Sequence, residues 1–170
     1  MITKPFSPRD IFAQPVVNSS RVFLSPQRYI QGPGVIKNCG LYLSLINAKH
    51  VGVLASKRGF SAEAANVLQS LSEAGIEYSK AEFKGECSKE EVERHTNDLM
   101  SAKPDCILAV GGGKLVDAGK CIAYRLNCQV GIIPTLASND APCSSISVLY
   151  TVDGVKDVVE YFPQNPAFVI

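Results

Sequence analysis

The sequence predicts an α/β protein with a mainly parallel, doubly wound sheet. Short continuous apolar runs at 50–55, 106–110 and 130–133 are typical of strands that are buried on both faces of a sheet. Segments with helical apolar spacing separate these runs, and strands that alternate with helices pair in parallel. The glycine turn at 111–113 follows one strand directly and opens the next helix. These observations together indicate a Rossmann-like architecture.

Residues 1–20 are predicted to be a flexible N-terminal extension, and residues 21–170 a single α/β domain. The extension contains three prolines and scattered polar residues, which interrupt any regular apolar pattern. It has no apolar run of the kind that forms the core of a secretory signal. It is also poor in arginine and contains Asp10, which argues against an organelle-targeting leader.

Apolar spacing before the glycine turn predicts alternating strands and helices. The predicted strands lie at 21–24, 29–31 (a short one), 50–55 and 76–83. The predicted helices lie at 35–46, 61–74 and 88–100. Ser61 is expected to be the N-cap of the second helix and Gly75 its stop. Ser88 and Glu91 have the spacing of a capping box at the start of the third.

The pattern changes in the last 25 or so residues, where a β-hairpin is predicted. Strand-like runs at 146–152 and 155–162 flank Asp153-Gly154, a dipeptide typical of two-residue hairpin turns. Pro163 and Pro166 end the second run, and a further apolar strand begins at 167.

Composition excludes several functions. The formal net charge is +1, so neither a nucleic-acid partner nor an anionic membrane surface is expected. No apolar run reaches the length that a bilayer requires. The six cysteines lack the close paired spacing of zinc sites, and several lie in predicted strands or helices. We therefore expect reduced thiols in a cytoplasmic protein.

The glycine turn is the main candidate for ligand binding. Gly111, Gly112 and Gly113 have no side chains, so a pyrophosphate can approach their backbone closely. Lys114 adds a positive charge, and the following helix directs its N-terminus at the same place. The spacing by itself fits neither common phosphate motif, because Val116 stands where a third glycine is usual and Leu115 where Ser or Thr would follow the lysine. Spacing alone leaves phosphate binding and a plain structural turn equally open.

Longer stretches resemble the glycerol dehydrogenases of the metal-dependent, iron-containing-type alcohol dehydrogenase superfamily. The resemblance is carried by GGGKLVDAGK, PTLASNDAPCSSISVLYT, SPQRYIQGPGVI and GECSKEEVER, and it extends over about residues 21–170. It implies NAD-dependent oxidation of glycerol to dihydroxyacetone, with glycerol or a similar small polyol as substrate.

The resemblance also implies roles for individual residues. The glycine turn with Lys114 would hold the NAD pyrophosphate. Other residues at matching positions would contact the rest of the cofactor: Asp117, Thr135, Ser138, Ser144, Ile146 and Tyr150. Asp140 would accept a hydrogen bond from a substrate hydroxyl. Local alternatives remain for several of them, such as helix-dipole stabilisation by Asp117 and strand packing by Ile146 and Tyr150.

Ser56 departs from the family pattern, which usually places an acidic residue after this strand to bind the ribose hydroxyls of NAD. Here Ser56 is followed by Lys57 and Arg58. An acid repels the 2′-phosphate of NADP, whereas a serine beside two cations can accept it. We therefore include Ser56 in the cofactor site and keep NADP as an alternative cofactor; an exposed basic turn is the other interpretation.

In the resembling family a zinc or other divalent metal is held by an aspartate and two histidines of a second, helical domain. No positions in this chain match those ligands, and His50 and His95 have no partner at metal-ligand spacing. We therefore expect a truncated dehydrogenase with no catalytic or metal-binding residue of its own, and self-association into a homo-oligomer. Two alternatives remain: a relative similar to dehydroquinate synthase or glycerol-1-phosphate dehydrogenase, and a non-catalytic fragment that binds nucleotide or itself.

Overall fold

The computed structural model describes residues 6–12 and 22–170. Within these residues the strands are β1 (His50–Ser56), β2 (Glu77–Phe83), β3 (Cys106–Gly111), β4 (Gln129–Pro134), β5 (Ile146–Tyr150), β6 (Lys156–Tyr161) and β7 (Phe168–Val169). The helices are α1 (Pro8–Phe12), α2 (Cys39–Ser44), α3 (Lys57–Phe60), α4 (Glu63–Glu73), α5 (Lys89–Met100) and α6 (Gly113–Leu126). Single 3₁₀ turns lie at Val35–Asn38 and Ala141–Cys143.

Five strands form one parallel sheet in the order β2-β1-β3-β4-β7. The predicted doubly wound, mainly parallel α/β fold is therefore confirmed. Strand β3 lies at the centre with β1 beside it, and the interior residues of both strands are buried. Burial on both faces explains why these strands appear in the sequence as continuous apolar runs instead of alternating patterns.

Alternate residues of the central strands enter two hydrophobic clusters, one on each face of the sheet. Ile107 and Ala109 pack with α5 and α6 on one face. Leu108 and Val110 pack with α2 and α4 on the other. The side-chain alternation of a strand thus divides one core into two layers that share the sheet.

The hairpin near the C-terminus is confirmed, with β5 and β6 paired antiparallel. Its turn differs from the two-residue prediction, because the flanking bond joins Thr151 N–H to Val155 O at 2.8 Å and leaves three residues in the loop. Gly154 adopts φ +82° there, a conformation that suits glycine. Arg125 of α6 donates two hydrogen bonds to the Glu160 carboxylate, at 2.7 and 3.1 Å, and so fastens the hairpin to the helix.

The strand predicted at 21–24 is wrong over its described part. Val22, Phe23 and Leu24 belong to no strand, and Phe23 is 89% exposed. The short strand predicted at 29–31 is reduced to one bridge between Tyr29 and Val169, in which Ile30 N–H donates to Val169 O at 2.8 Å. This segment covers the edge of β7.

The helix predicted at 61–74 begins later than expected. It starts at Glu63 with Ala62 as its N-cap, so the cap prediction for Ser61 is wrong. Ser61 instead ends the four-residue helix α3, which is too short to show a periodic apolar pattern. The stop at Gly75 is confirmed by its left-handed backbone, with φ +68°.

Of the predicted extension 1–20, residues 6–12 are described, and Pro8–Phe12 is a five-residue helix within it; the remainder, with Asp10's side chain, lies outside the described residues. Phe6 forms an isolated antiparallel bridge with Tyr161. None of the described helices combines the length and apolar character needed to cross a bilayer.

Candidate functional site

The path of the chain creates a crevice between two central strands. From β1 the chain moves to β2 on one side, and from β3 it moves to β4 and β7 on the other. The helices that follow β1 and β3 therefore diverge at the carboxyl ends of these strands. Ligands of open α/β sheets bind at such topological switch points.

A cleft of about 720 Å³ lies at this point. Its walls come from the carboxyl ends of β1 to β4 and from the N-termini of α3, α4 and α6. The residues that line it are Ser56, Arg58, Gly59, Glu63, Phe83, Gly85, Val110, Gly111, Gly112, Gly113, Lys114, Leu115, Thr135 and Leu136. The cleft thus unites the glycine turn with three of the other predicted site residues: Ser56, Lys114 and Thr135.

The glycine turn forms the floor of the cleft. Gly112 is the extended N-cap of α6 and has no side chain to cap the helix. The first N–H groups of a helix have no acceptor within it, so this end of the 14-residue α6 offers donors and a positive dipole end to an anion. A Cβ at Gly111 would lie 2.9 Å from a Leu115 methyl carbon, so a side chain at this position would require Leu115 to move.

The loop after β4 lies directly against the glycine turn. Thr135 N–H donates to Gly111 O at 3.1 Å. A Cβ built on Gly112 would lie 3.1 Å from Leu136 Cδ1, and one on Gly113 would lie 3.6 Å from Asn139 Oδ1. The two predicted segments therefore meet at one place, as the sequence interpretation requires. Sequence reasoning did not single out Leu136 and Asn139, whose positions depend on how the loop folds back.

Two predicted residues of this loop lie outside the cleft lining. Ser138 and Asp140 are both exposed, three and five residues beyond Thr135. Asp140 begins the short 3₁₀ turn, where its carbonyl accepts a hydrogen bond from Cys143 N–H at 3.1 Å. Asp140 is exposed outside the cleft lining, and the substrate contact assigned to it remains a prediction.

Lys114 is engaged at the mouth of the cleft. Its ammonium forms a short ion pair with the carboxylate of Glu86, which lies in the loop between β2 and α5. The Lys114 side chain is 58% exposed, while that of Glu86 is 21% exposed. Sequence reasoning missed Glu86, because nothing in a single sequence links it to a lysine 28 residues away.

Asp117 and Lys120 are placed differently from the rest of the predicted site. Asp117 is buried in α6, away from the cleft lining, and accepts a hydrogen bond from Val148 N–H at 3.1 Å. In the sequence Lys120 resembles a solvated helix lysine, but that interpretation is wrong, because its side chain is only 2% exposed. Its ammonium lies 2.9 Å from Asp117 Oδ1.

The residues predicted at the nicotinamide side belong to the segment that leads into β5. Ser144 Oγ lies 3.3 Å from the Lys120 ammonium, and the Ile146 carbonyl accepts a short hydrogen bond from the same group. Tyr150 ends β5, and its N–H donates to Cys87 O at 2.8 Å. These three residues do not line the described cleft, so their cofactor contacts remain predictions.

Ser56 lies at the end of β1 and caps α3. Its Oγ accepts a hydrogen bond from Gly59 N–H at 3.0 Å. Lys57 and Arg58 are exposed, and Arg58 lines the cleft. Glu63 also lines it, so a carboxylate is present on this side although the usual acidic position after the strand is a serine.

The described residues do not fit a divalent metal. Among residues 6–12 and 22–170, no three histidine, cysteine, aspartate or glutamate side chains are grouped to hold one. His50 Nε2 lies 2.8 Å from Ser79 Oγ. His95 is 1% exposed, with Nε2 3.1 Å from Glu91 Oε1. Burial, with the nearby Arg94 charge, lowers the pKa of His95.

Gly119 is a further residue that motif spacing missed. It lies on the face of α6 that packs on β3, where an added Cβ would come 2.6 Å from Ala109 Cβ. It therefore does what the third glycine of a dinucleotide fingerprint does, which is to allow close contact between helix and strand. The sequence offers this glycine three residues later than the usual motif requires.

Fold and cleft together define an α/β unit with a ligand-sized cleft at the switch point of its sheet, and comparison with known proteins gives the family. The family described as iron-containing alcohol dehydrogenase matches residues 26–170. The chain therefore belongs to the iron-containing alcohol dehydrogenase family, and the resemblance drawn from its signatures is confirmed.

Individual relatives are similar over most of this chain. A glycerol dehydrogenase from Escherichia coli is 39% identical over 150 residues, which cover 88% of this chain and 41% of that protein. Glycerol dehydrogenase 1 from Schizosaccharomyces pombe is 36% identical, with 89% and 34% covered. The crystal structure of a probable glycerol dehydrogenase from Sinorhizobium meliloti superposes with a TM-score of 0.80 at 34% identity, with 88% and 40% covered. The chain thus spans about two fifths of the length of these relatives.

Proposed function

We propose that this chain is the nucleotide-binding part of an NAD-dependent glycerol dehydrogenase, with glycerol or a similar small polyol as substrate. The observation that carries the proposal is the meeting of the glycine turn with Thr135 in one cleft at the switch point between β1 and β3. Relatives that are named glycerol dehydrogenases support the choice of substrate.

The chain's own residues would bind and orient the dinucleotide. The N–H groups at the start of α6 would donate to the pyrophosphate, and Lys114 would add a charge-assisted hydrogen bond. When bound, NAD supplies a hydride acceptor for the alcohol carbon of the substrate. Asp140, which is exposed in the loop after Thr135, would accept a hydrogen bond from a polyol hydroxyl. Since the described residues do not group to hold a metal, no metal-dependent step is assigned to them.

The cellular location and the oligomeric state of the protein are also proposed. We infer a cytoplasmic protein that associates with itself, in agreement with the exposed apolar side chains of Phe23, Leu41 and Leu45, which are 89%, 67% and 57% exposed. Light scattering over a range of concentrations measures this directly, and a mass equal to one chain at every concentration would contradict it.

A charge placed in the glycine turn tests the nucleotide site. Gly113 has room for a side chain, because a Cβ there makes an ordinary 3.6 Å contact. Gly113→Asp adds a negative charge beside the expected pyrophosphate, and Gly113→Asn is its neutral match in shape. We expect calorimetry to show NADH binding at least about tenfold weaker in the Asp variant than in the Asn variant.

Loss of folding would not explain that result. An acidic residue in the first turn of a helix stabilises it by about 0.3–1 kcal/mol. Equal NADH affinity in the two variants would contradict a phosphate site at this turn. Absence of NADH binding to the unmodified chain would contradict the proposed function as a whole.

A further inference from the structure

A buried lysine, Lys120, joins α6 to residues 141–146, which connect the loop after β4 to strand β5. The ammonium of Lys120 donates to Ala141 O at 2.9 Å, to Ser144 Oγ at 3.3 Å and to Ser144 O at 3.5 Å. It also makes a short hydrogen bond with Ile146 O. Three residues of the 141–146 segment are therefore attached to one side chain of the helix.

Asp117, one helical turn earlier, completes this attachment. One carboxylate oxygen lies 2.9 Å from the Lys120 ammonium, and the other accepts a hydrogen bond from Val148 N–H at 3.1 Å. The Asp117 carbonyl accepts a further bond from Ser147 Oγ at 3.0 Å. The two residues thus hold the end of the loop and the start of β5 together.

Stability alone is a weak reason for this arrangement. Burying an ion pair costs desolvation energy that often equals or exceeds what its attraction returns, and an apolar pair of similar size is frequently as stable. The Lys120 ammonium instead meets five oxygen atoms, four of which belong to the 141–146 segment. Such a set fixes the path of a loop that has no regular secondary structure apart from one 3₁₀ turn.

The segment held in this way carries residues assigned to the reacting end of the cofactor. Asp140 immediately precedes it, and Ser144 and Ile146 lie within it. We infer that Asp117 and Lys120 are positioning residues, which hold residues 140–146 in the shape that receives the nicotinamide and the polyol. The inference rests on the proposed function, and it connects the two ends of the cofactor site through one helix, since the N-terminus of α6 forms the glycine turn.

The test compares a whole cofactor with its adenosine half. Lys120→Met leaves Asp117 buried without its partner, so the double variant Asp117→Asn with Lys120→Met is made as well; the asparagine oxygen keeps an acceptor for Val148 N–H. Titration with NADH and with ADP then separates the two ends of the site. We expect the double variant to bind NADH about tenfold more weakly, while ADP affinity stays within about twofold.

The matched control is Lys37→Met, which makes the same exchange at an exposed lysine and should bind both nucleotides as the unmodified chain does. Urea unfolding establishes that each variant is folded. An equal loss of NADH and ADP affinity would show a merely structural role, and unchanged NADH affinity would show no role; either result overturns the inference. Failure of the proposed function is recognised separately, because the unmodified chain would then bind neither nucleotide.

Discussion

The Lys114 ammonium and the Glu86 carboxylate are paired at the mouth of the cleft. Lys114 is the second residue of α6, whose N-terminus faces the cleft. Glu86 lies in the loop between β2 and α5, close to the hairpin turn at Gly154. On the proposed function, this carboxylate would compete with the phosphates of the cofactor for the Lys114 ammonium. The pair therefore reduces the positive charge that the free site presents.

We expect Glu86→Gln to bind NADH several-fold more tightly than the unmodified chain. The substitution removes the competing charge and leaves Lys114 free to meet the phosphates, and the gain should fade with added salt because partly exposed charges are screened. Titration at low and at high ionic strength measures both effects. Glu93→Gln, at an exposed position of α5, makes the same change away from the cleft and should leave affinity unaltered. Weaker NADH binding by Glu86→Gln would contradict the competition.

The residue at position 56 is expected to influence whether the cleft binds NAD or NADP more tightly. Aspartate at this position should repel the 2′-phosphate, so Ser56→Asp is expected to lower NADPH affinity by at least about tenfold while NADH affinity stays the same or rises. Aspartate also caps helices well, so it should preserve the bond to Gly59 N–H at the start of α3.

Ser56→Asn is the neutral control for this change, since asparagine caps equally well and carries no charge. We expect it to bind NADPH nearly as the unmodified chain does. If the unmodified chain already binds NADH at least about tenfold more tightly than NADPH, then Lys57 and Arg58 form only an exposed basic turn. Competition titrations with the two reduced cofactors decide between these outcomes.

Close packing at Gly119 can be tested by exchanging sizes across the contact. Gly119→Ala places a methyl group 2.6 Å from Ala109 Cβ and should lower the free energy of unfolding, because overpacking typically costs about 1–3 kcal/mol. The reciprocal variant Ala109→Gly makes room for that methyl. Urea unfolding of both single variants and the double variant should give a favourable coupling of about 1 kcal/mol. If the two single substitutions changed the free energy of unfolding additively, the contact between Gly119 and Ala109 would not restrict how closely α6 packs on β3.

Much of the fold could be predicted because its strands are buried on both faces. Continuous apolar runs identified β1, β3 and β4, and the glycine turn identified the start of α6. The order of strands and helices then implied a parallel sheet with a ligand crevice at the carboxyl ends of its strands. The strand predicted at 21–24 failed for the converse reason, since the apolar side chains of Val22, Phe23 and Leu24 are exposed.

The remainder depends on contacts between distant parts of the chain. Lys120 resembles any surface lysine in the sequence, and its acceptors are mostly backbone carbonyls of a loop more than 20 residues away. Every residue has a backbone carbonyl, so the sequence does not indicate which carbonyls will accept these hydrogen bonds. Glu86 is likewise one of many acidic residues until the fold brings it to Lys114. The polar residues that shape this site were therefore harder to predict than the glycines that form its floor.

Protonation of His95 should destabilise the protein in mildly acidic solution. Burial, reinforced by the Arg94 charge, lowers the pKa of His95 below the ordinary value of 6.5. At pH values between the lowered pKa of folded His95 and the ordinary value of 6.5, the unfolded chain binds more protons than the folded one. The free energy of unfolding therefore falls as pH drops below about 6.5. The pKa of Glu91 is also lowered: burial opposes the shift, but hydrogen bonds from Arg94 and from Lys84 N–H outweigh it. Protonation of Glu91 therefore changes the free energy of unfolding only below about pH 4.5.

Urea unfolding at about pH 7.5 and about pH 5.5 isolates the histidine, because the Glu91 window lies at lower pH. We expect the unmodified chain to lose stability between these two values and His95→Gln to lose much less, since glutamine cannot take up a proton. His50→Gln, which replaces a partly exposed histidine, should keep the loss. The same loss in His95→Gln as in the unmodified chain would show that another group binds the proton on unfolding. A reduced loss would identify the buried His95 side chain of α5 as the group that lowers stability in this range.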